Sequence, residues 1–544
     1  MLRHFPNYIV AVIISVVVLV SVSCSKEGPR AGKVDYDVIV IGGGLGGLSA
    51  AAHLATGKLK VLLIEQHYKV GGCATSFSRG DFTFDVALHE MDGAGPVRPG
   101  MKEEGPVRQL LKACGVYDKI TLIEHPDLYR AVYPGIDVTL PANWEGLKKI
   151  LKNNWPNETE GIDEFHRICL AVSSEAMSLA QLQRYGTVKK LLTMAMVPLR
   201  QRNLLKWKDR TVQDLMDHCF KSADIKAVVS QYWCYLGPSI DKQAAFLFIM
   251  AFNSYASGGA WHIKGTSQAL SDAYAERIGE LGGTVKTGVL AKKIVMENGI
   301  AVGVETDEGK MYSCRYIVAN TDPYQLVYTL IGESHFPAKY IDRLKTLKPA
   351  NSLFGVFLGL NVDLKKRGHR DFEIFYNAST DNRAVYESMM KGDYKNGALV
   401  IAIYTNMDDP VYAPSGKSVV KLDAYSDIAM WPEDAGEYER LKEKKVDELI
   451  ALASRHIPEL ATPGTIAVKL GYTPRTLRRY TLNRDGVVYG FNSTPDQFDR
   501  IPNRTPVDNV FIASNWTQMS HGYSGVQING WMAARMIMDR EGIR

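Results

Sequence analysis

Glycines at positions 42, 44 and 47 follow the apolar run Val38-Ile39-Val40-Ile41 directly, and their spacing carries the clearest chemistry in this chain. Gly42 admits a tight turn, Gly44 lets the backbone approach a pyrophosphate, and Gly47 lets a helix lie close on the strand before it. The first N–H groups of such a helix are unpaired and its dipole is positive there, so it receives phosphate. Glu65 closes a second apolar run, Val61-Leu62-Leu63-Ile64. It falls at roughly the 20-residue offset at which a carboxylate accepts from ribose hydroxyls. With Leu45 and Gln66 at the edges of the motif, these residues form a dinucleotide-binding set. A Gly-rich strand–helix turn without a ligand is the bland alternative, and the acidic residue at that offset weighs against it.

Gly71-Gly72-Cys73 comes soon after Glu65, and a glycine pair there suits a second approach of backbone to a ligand lying across the fold. A nicotinamide dehydrogenase would turn straight into another helix at this point. Here the chain continues from Ser76 to Asp85 as a short hairpin-like segment. The arrangement resembles the FAD-binding half of the flavin amine oxidase superfamily. More narrowly, the stretch from Gly71 to Phe77 and the stretch Phe84-Asp85-Val86-Ala87-Leu88-His89 resemble the carotenoid isomerase, phytoene desaturase and retinol saturase group. Other stretches share the likeness: Gly258 to Ser267, entering a long helix from Gln268 to Leu281; Gly282 to Val285 with Ala291 to Ile294, Gly303 to Thr306 and Tyr316 to Asn320, as strands closing the flavin domain; Tyr472-Thr473-Pro474 with Tyr489-Gly490; and Asn509 to Asn515 followed by Gly522 to Gly530. In the last of these a Gly-rich bend precedes a helical stretch from Val526 to Met538, so a second helix N-terminus can face an electron-rich ligand. Where related flavoproteins often carry Gly-Asp this chain has Ser514-Asn515, and asparagine still donates to phosphate or ribityl oxygens.

The resemblance implies FAD as cofactor, held by Gly42, Gly44, Leu45, Gly47, Glu65, Gln66, Gly71, Gly72, Cys73, Ala291, Asn515, Gly525 and Val526. It implies redox or redox-neutral chemistry at a carbon–carbon double bond of a lipophilic polyene or isoprenoid-like substrate, with reduction or isomerisation ahead of desaturation. NAD(P)H or a quinone would be the electron partner. For catalytic side chains it offers His89, His262 and Lys264, with Tyr489 and His521 as weaker candidates. Histidines selected in this way are more often structural. A flavin oxidase acting on amines or a porphyrinogen shares the same fold, and so does a prenyl-lipid escort without flavin; glycine motifs at both flavin contacts argue against the escort.

The resemblance implies an α/β fold with a discontinuous Rossmann-like FAD-binding domain, an inserted α+β substrate domain and a helical segment that could dock on a membrane or cap the core. The expected division is a signal peptide or membrane anchor over residues 1–24, FAD-binding parts over 35–100, 256–335 and 481–544, and substrate-domain parts over 101–255 and 336–480. At 544 residues the chain exceeds one ordinary core. The apolar runs 244–252 and 352–360 could line a hydrocarbon pocket or be plain core. Residues 184–210 interleave eight Lys and Arg residues with leucines, methionines and Trp207, a pattern that can lie in a headgroup layer or pack as a cap with a solvated basic face. That segment contributes to the net charge of +5, and nothing else points to nucleic acid. The uninterrupted apolar stretch from Tyr8 to Val22, ahead of Cys24, reads as a secretory signal, a lipoprotein leader or an uncleaved anchor. Membrane association is expected, on either side of the membrane. The seven cysteines show no spacing that suits zinc, and no metal is expected.

Overall fold

A computed structural model of the chain describes residues 34–86, 90–98, 103–181 and 197–543. The N-terminal apolar stretch, His89 and residues 184–196 lie outside the described residues.

Two seven-stranded sheets organise the molecule. In the first, Tyr36–Ile41 pairs in parallel with Val61–Glu65 on one side and Met311–Ala319 on the other. Thr284–Thr287 extends the sheet beyond Val61–Glu65, and Val510–Ile512 runs beside Met311–Ala319. Val38 to Ile41 and Val61 to Ile64 are buried throughout, as continuous apolar runs in a parallel sheet covered on both faces must be. Ala291–Glu297, Ile300–Thr306 and Met311–Ala319 form an antiparallel meander that returns the chain to the centre of the sheet.

Helix Leu45–Thr56 follows the first strand and packs along the C-terminal helix Gly522–Arg540. Small residues allow this approach. A side chain on Gly530 would bring its Cβ to 2.2 Å from the Gly46 carbonyl oxygen, and one on Gly47 would come to 2.1 Å from that of Gly42. The Ser49 hydroxyl donates to the Gln527 carbonyl at 2.8 Å across the same contact. The C-terminal helix begins at Gly522, four residues before the apolar periodicity starts, because tertiary packing outweighs the low propensity of its glycines.

The second sheet runs in the order Ile466–Tyr472, Ser352–Leu360, Ser418–Ser426, Ala398–Ile403, Glu373–Asn377, Asp127–Tyr133, Ile136–Pro141. Ser352–Leu360 is buried along its whole length and pairs with strands on both sides. Helix Ala245–Gly258 crosses near this sheet and packs on helix Thr159–Gln181. Its residues divide between two tasks: Phe248, Ile249 and Phe252 enter the core, while Phe246, Leu247 and Met250 line a cavity. The run that could be pocket or core is both.

Of residues 184–210, the described part forms short helices Val197–Arg200 and Arg202–Trp207. Leu204 and Trp207 are buried there, and Arg202, Lys206 and Arg210 are exposed. Leu204 and Trp207 thus serve the core, as the cap alternative expects of them, and the other apolar residues up to Met196 lie outside the described residues. Among the described residues no helix is long and apolar enough to cross a membrane.

Candidate functional site

The turn after the first strand is shaped by backbone demands. Gly42 has φ +92° and donates its N–H to the Ile64 carbonyl at 2.8 Å, tying the turn to the neighbouring strand. The Gly43 N–H donates to Glu65 Oε2 at 2.6 Å, the His67 N–H donates to Glu65 Oε1 at 2.7 Å, and the Gly71 N–H donates to the Gly43 carbonyl at 2.8 Å. Glu65 is thus a brace between the glycine turn and the chain beyond the second strand. Burial pushes its carboxyl upward and the two N–H groups partly offset this. Each carboxylate oxygen still has a lone pair for a ribose hydroxyl. Gly71 pairs with Gly44, and a Cβ on Gly72 would lie 3.2 Å from the Gly44 Cα, so the two glycine motifs meet. Helix Leu45–Thr56 has no side-chain cap and no acidic residue in its first turn, which leaves its leading N–H groups for an anion. Leu45 is buried beneath it. Ala291 begins its strand two residues after Val289, whose N–H donates to the Glu65 carbonyl at 3.0 Å. Gln66 turns away, its amide donating to the Tyr480 carbonyl at 3.1 Å. Asn320 was not singled out by spacing. It ends the Met311–Ala319 strand, its N–H donates to the Ile41 carbonyl at 2.7 Å, and its Oδ1 lies 2.6 Å from where a Gly44 Cβ would be.

A cavity of about 2410 Å³ lies against the second sheet, with Leu353, Ala398, Val400 and Asp423 in its wall, and reaches Cys73 and the start of the C-terminal helix at Gly522, Ser524 and Gly525. That helix also lacks a side-chain cap. Gly522 has φ +78°, and a side chain there would meet nothing within 4 Å, so the wall is open to a ligand. Just before it a relay fixes the bend: Arg500 donates to the Ser520 hydroxyl at 2.7 Å, His521 Nδ1 lies 2.7 Å from that hydroxyl, and His521 Nε2 lies 2.7 Å from the Tyr235 carbonyl. Burial and the nearby Arg500 push His521 down to about 4, so it is neutral at pH 7 and its Nε2–H donates. Cys73 stands on the cavity wall with its thiol pushed up by burial, and it is protonated. All cysteines among the described residues are free thiols.

The cavity has two characters. Leu170, Met177, Met519 and Trp531 both line it and are exposed, which marks its mouth. Phe246, Leu247 and Met250 continue the apolar wall inward. The inner end carries Glu90, Asp92, Tyr232, Tyr235, Tyr255 and Asp423. Asp423 lies 2.8 Å from Lys421 Nζ and also accepts from the Tyr472 hydroxyl. The sequence reading singled out none of these inner residues; acids in the otherwise apolar, Gly-rich stretch 90–95 were the available signal.

Two of the expected catalytic side chains stand apart from this cavity. His262 is buried in strand Ala260–Ile263, with Nε2 3.1 Å from the Tyr412 hydroxyl. Tyr412 donates to Asp85 at 2.6 Å, and Asp85 accepts from the Ser267 N–H at 2.9 Å, so His262 belongs to a network anchoring the next helix. Lys264 is exposed, with its backbone N–H donating to the Thr121 carbonyl at 2.9 Å. Neither lines the cavity. Asn515 directs its amide to the Val488 carbonyl at 2.9 Å, and Val526 packs against the core beside the first helix. Among the described residues no cluster of His, Cys, Asp or Glu could hold a metal ion.

Known proteins share this organisation. The prolycopene isomerase of Daucus carota is 24% identical over 517 residues, covering 92% of this chain and 80% of its own. The all-trans-retinol 13,14-reductase of Danio rerio is 23% identical over 549 residues, covering 95% and 88%. Cyclohexylamine oxidase from Brevibacterium oxydans superposes with a TM-score of 0.57 at 15% identity, over 93% of this chain and all of the other, which establishes a common fold. The family described as flavin containing amine oxidoreductase matches residues 45–538, and this chain belongs to it.

Proposed function

We propose that this protein is an FAD-dependent oxidoreductase acting on carbon–carbon double bonds of a lipophilic polyene or isoprenoid-like lipid, by reduction or isomerisation. The observation that carries the reading is the long cavity, apolar from an exposed mouth inward and ending at the uncapped helix start at Gly522. The names of the relatives agree with it. Gly42, Gly44 and Gly47 with the first helix N–H groups would receive the pyrophosphate, and Glu65 the ribose. Gly71, Gly72, Cys73, Gly522 and Gly525 would accommodate the flavin ring. Bound FAD supplies hydride or electron transfer. The chain's own part is to orient the polyene along the Leu and Met wall and to exclude water from its inner end. NAD(P)H or a quinone exchanges electrons with the flavin. The exposed Leu170, Met177, Met519 and Trp531 at the mouth, with Arg535 on the same wall, would dock on a bilayer and let the substrate enter from lipid.

The test is the visible spectrum of the detergent-purified, FAD-reconstituted protein, reduced anaerobically and mixed with retinoids and carotenoids. Reoxidation of the flavin by a polyene is expected for a saturase, and a changed polyene spectrum without reoxidation for an isomerase. Bleaching by an amine with no response to any polyene would overturn the substrate assignment. Failure to take up flavin would overturn the enzyme reading in favour of a lipid escort.

A further inference from the structure

At the inner end of the cavity two stacked tyrosines hold two buried carboxyl groups. The rings of Tyr232 and Tyr235 lie 5.1 Å apart at an interplanar angle of 19°. The Tyr232 hydroxyl donates to Glu90 Oε1 at 2.8 Å, and the Tyr235 hydroxyl donates to Glu373. Glu90 is 6% exposed and Glu373 is 2% exposed. Glu90 lies on the cavity wall, and its second oxygen, Oε2, has no hydrogen-bond partner.

A carboxyl group in a low-dielectric interior beside other acids resists ionisation. Burial and the neighbouring Glu373 push Glu90 well upward, Asp92 adds to this, and only the Tyr232 hydroxyl opposes it. The other groups facing Glu90 are neutral phenols: Tyr129, and Tyr255, whose hydroxyl donates to the Glu90 carbonyl at 3.4 Å. With Oε1 accepting from Tyr232, the proton belongs on Oε2. An O–H there has no acceptor in the protein, on a residue of the wall against which substrate lies.

We propose that Glu90 is the acid that protonates the substrate. The inference rests on the polyene reading above. In a reduction the alkene π bond breaks and two C–H bonds form. One carbon takes a hydride originating from reduced flavin, which is oxidised by two electrons. Its neighbour takes the proton from Glu90 Oε2. Glu90 is left as a carboxylate, which the Tyr232 hydroxyl stabilises until solvent returns a proton after product leaves. General acid catalysis by a positioned side chain contributes about 10²–10⁴-fold.

The experiment uses full-length, FAD-loaded protein reduced with dithionite and mixed with a polyene that the wild type reduces. Glu90→Gln is expected to retain FAD and to bind the polyene, as read by its absorption shift, while the single-turnover rate falls by about 10²-fold or more. The wild-type rate is expected to fall as pH rises through the Glu90 titration, and Glu90→Gln to lose that limb. Infrared difference spectra provide a readout apart from turnover: a protonated-carboxyl band at neutral pH, shifted in D₂O, is expected in the wild type and absent in Glu90→Gln. If Glu90→Gln does not fold, Glu90→Asp replaces it, with a slower rate and a displaced pH limb expected. A wild type that reduces polyenes alongside an equally fast Glu90 variant, or an unchanged carboxyl band in that variant, overturns this assignment alone. A wild type inert toward every polyene overturns the substrate reading with it.

Discussion

Replacing Glu65 by glutamine separates the two tasks of this carboxylate, bracing the glycine turn and accepting from a ribose. In the structure Oε2 accepts from the Gly43 N–H at 2.6 Å and Oε1 from the His67 N–H at 2.7 Å. Glutamine has one acceptor oxygen and one donor nitrogen, so one N–H keeps a weaker neutral bond and the other faces an NH₂ group. The lost charge-assisted bond is worth about 1.5–3 kcal/mol and the weakened one about 1 kcal/mol. Glu65→Gln should therefore lower apoprotein stability by about 3 kcal/mol, read as a drop in the chemical-denaturation midpoint at unchanged slope. FAD affinity should fall further, by roughly 10- to 150-fold for a lost charge-assisted ribose contact, read by flavin fluorescence titration at a temperature where the variant is folded. Apoprotein stability equal to wild type would refute the bracing role. Unchanged FAD affinity in the folded variant would refute the ribose role.

Other expectations concern the rest of the molecule. His53 is buried, with Nδ1 2.8 Å from the Ser49 carbonyl, and burial pushes it from 6.5 down to about 4. It stays neutral in the folded protein while the unfolded chain takes up a proton, so its contribution is full above pH 6.5 and is lost as pH falls toward 4, by about 3 kcal/mol. A melting-temperature series against pH should show His53→Gln losing that part of the acid slope. Gly46→Ala would place a Cβ 2.2 Å from the Ala513 carbonyl oxygen, and the forced shift should destabilise the protein by about 1–3 kcal/mol and weaken FAD retention, checked by thermal melting with and without FAD. Converting Met177 and Trp531 together to glutamate should reduce co-sedimentation with anionic vesicles by about tenfold or more, at roughly 1.5 kcal/mol per large apolar side chain, with the flavin spectrum unchanged. Equal vesicle binding would remove the mouth as the docking surface.

The phosphate-binding turn was legible in the sequence because its requirements are local: a buried strand, glycines where Cβ atoms would collide, and an acid one strand further on. The final strand and helix were legible for the same reason, although Gly522 to Gly525 hid the true start of that helix, whereas the meander strands were legible only through the family resemblance. The cavity's inner end was not legible. Glu90 and Tyr232 are 142 residues apart, and Tyr235 and Glu373 are 138 apart, so no window along the chain contains either pair. His262 and Lys264 show the complementary limit. The resemblance located their segment ahead of a long helix, but their position relative to the cavity was fixed by packing against Asp85, Tyr412 and Thr121. The described part of the basic stretch, residues 197–210, could be divided between core and surface only by tertiary contacts such as the burial of Trp207.

The close approach of Gly46 and Gly530 also sets an order of events. The hydrogen bond from Ser49 to Gln527 joins residues 478 apart, and closing an unstructured loop of that length would cost about 5 kcal/mol. Strand Val510–Ile512 likewise adds to a sheet whose other strands are already synthesised when it emerges. During translation the glycine turn emerges well before the helix that covers it. If the cofactor is held as proposed, its site is complete only once residues 510–540 have docked, so a flavin-bearing molecule would be one whose Gly522–Arg540 helix is in place.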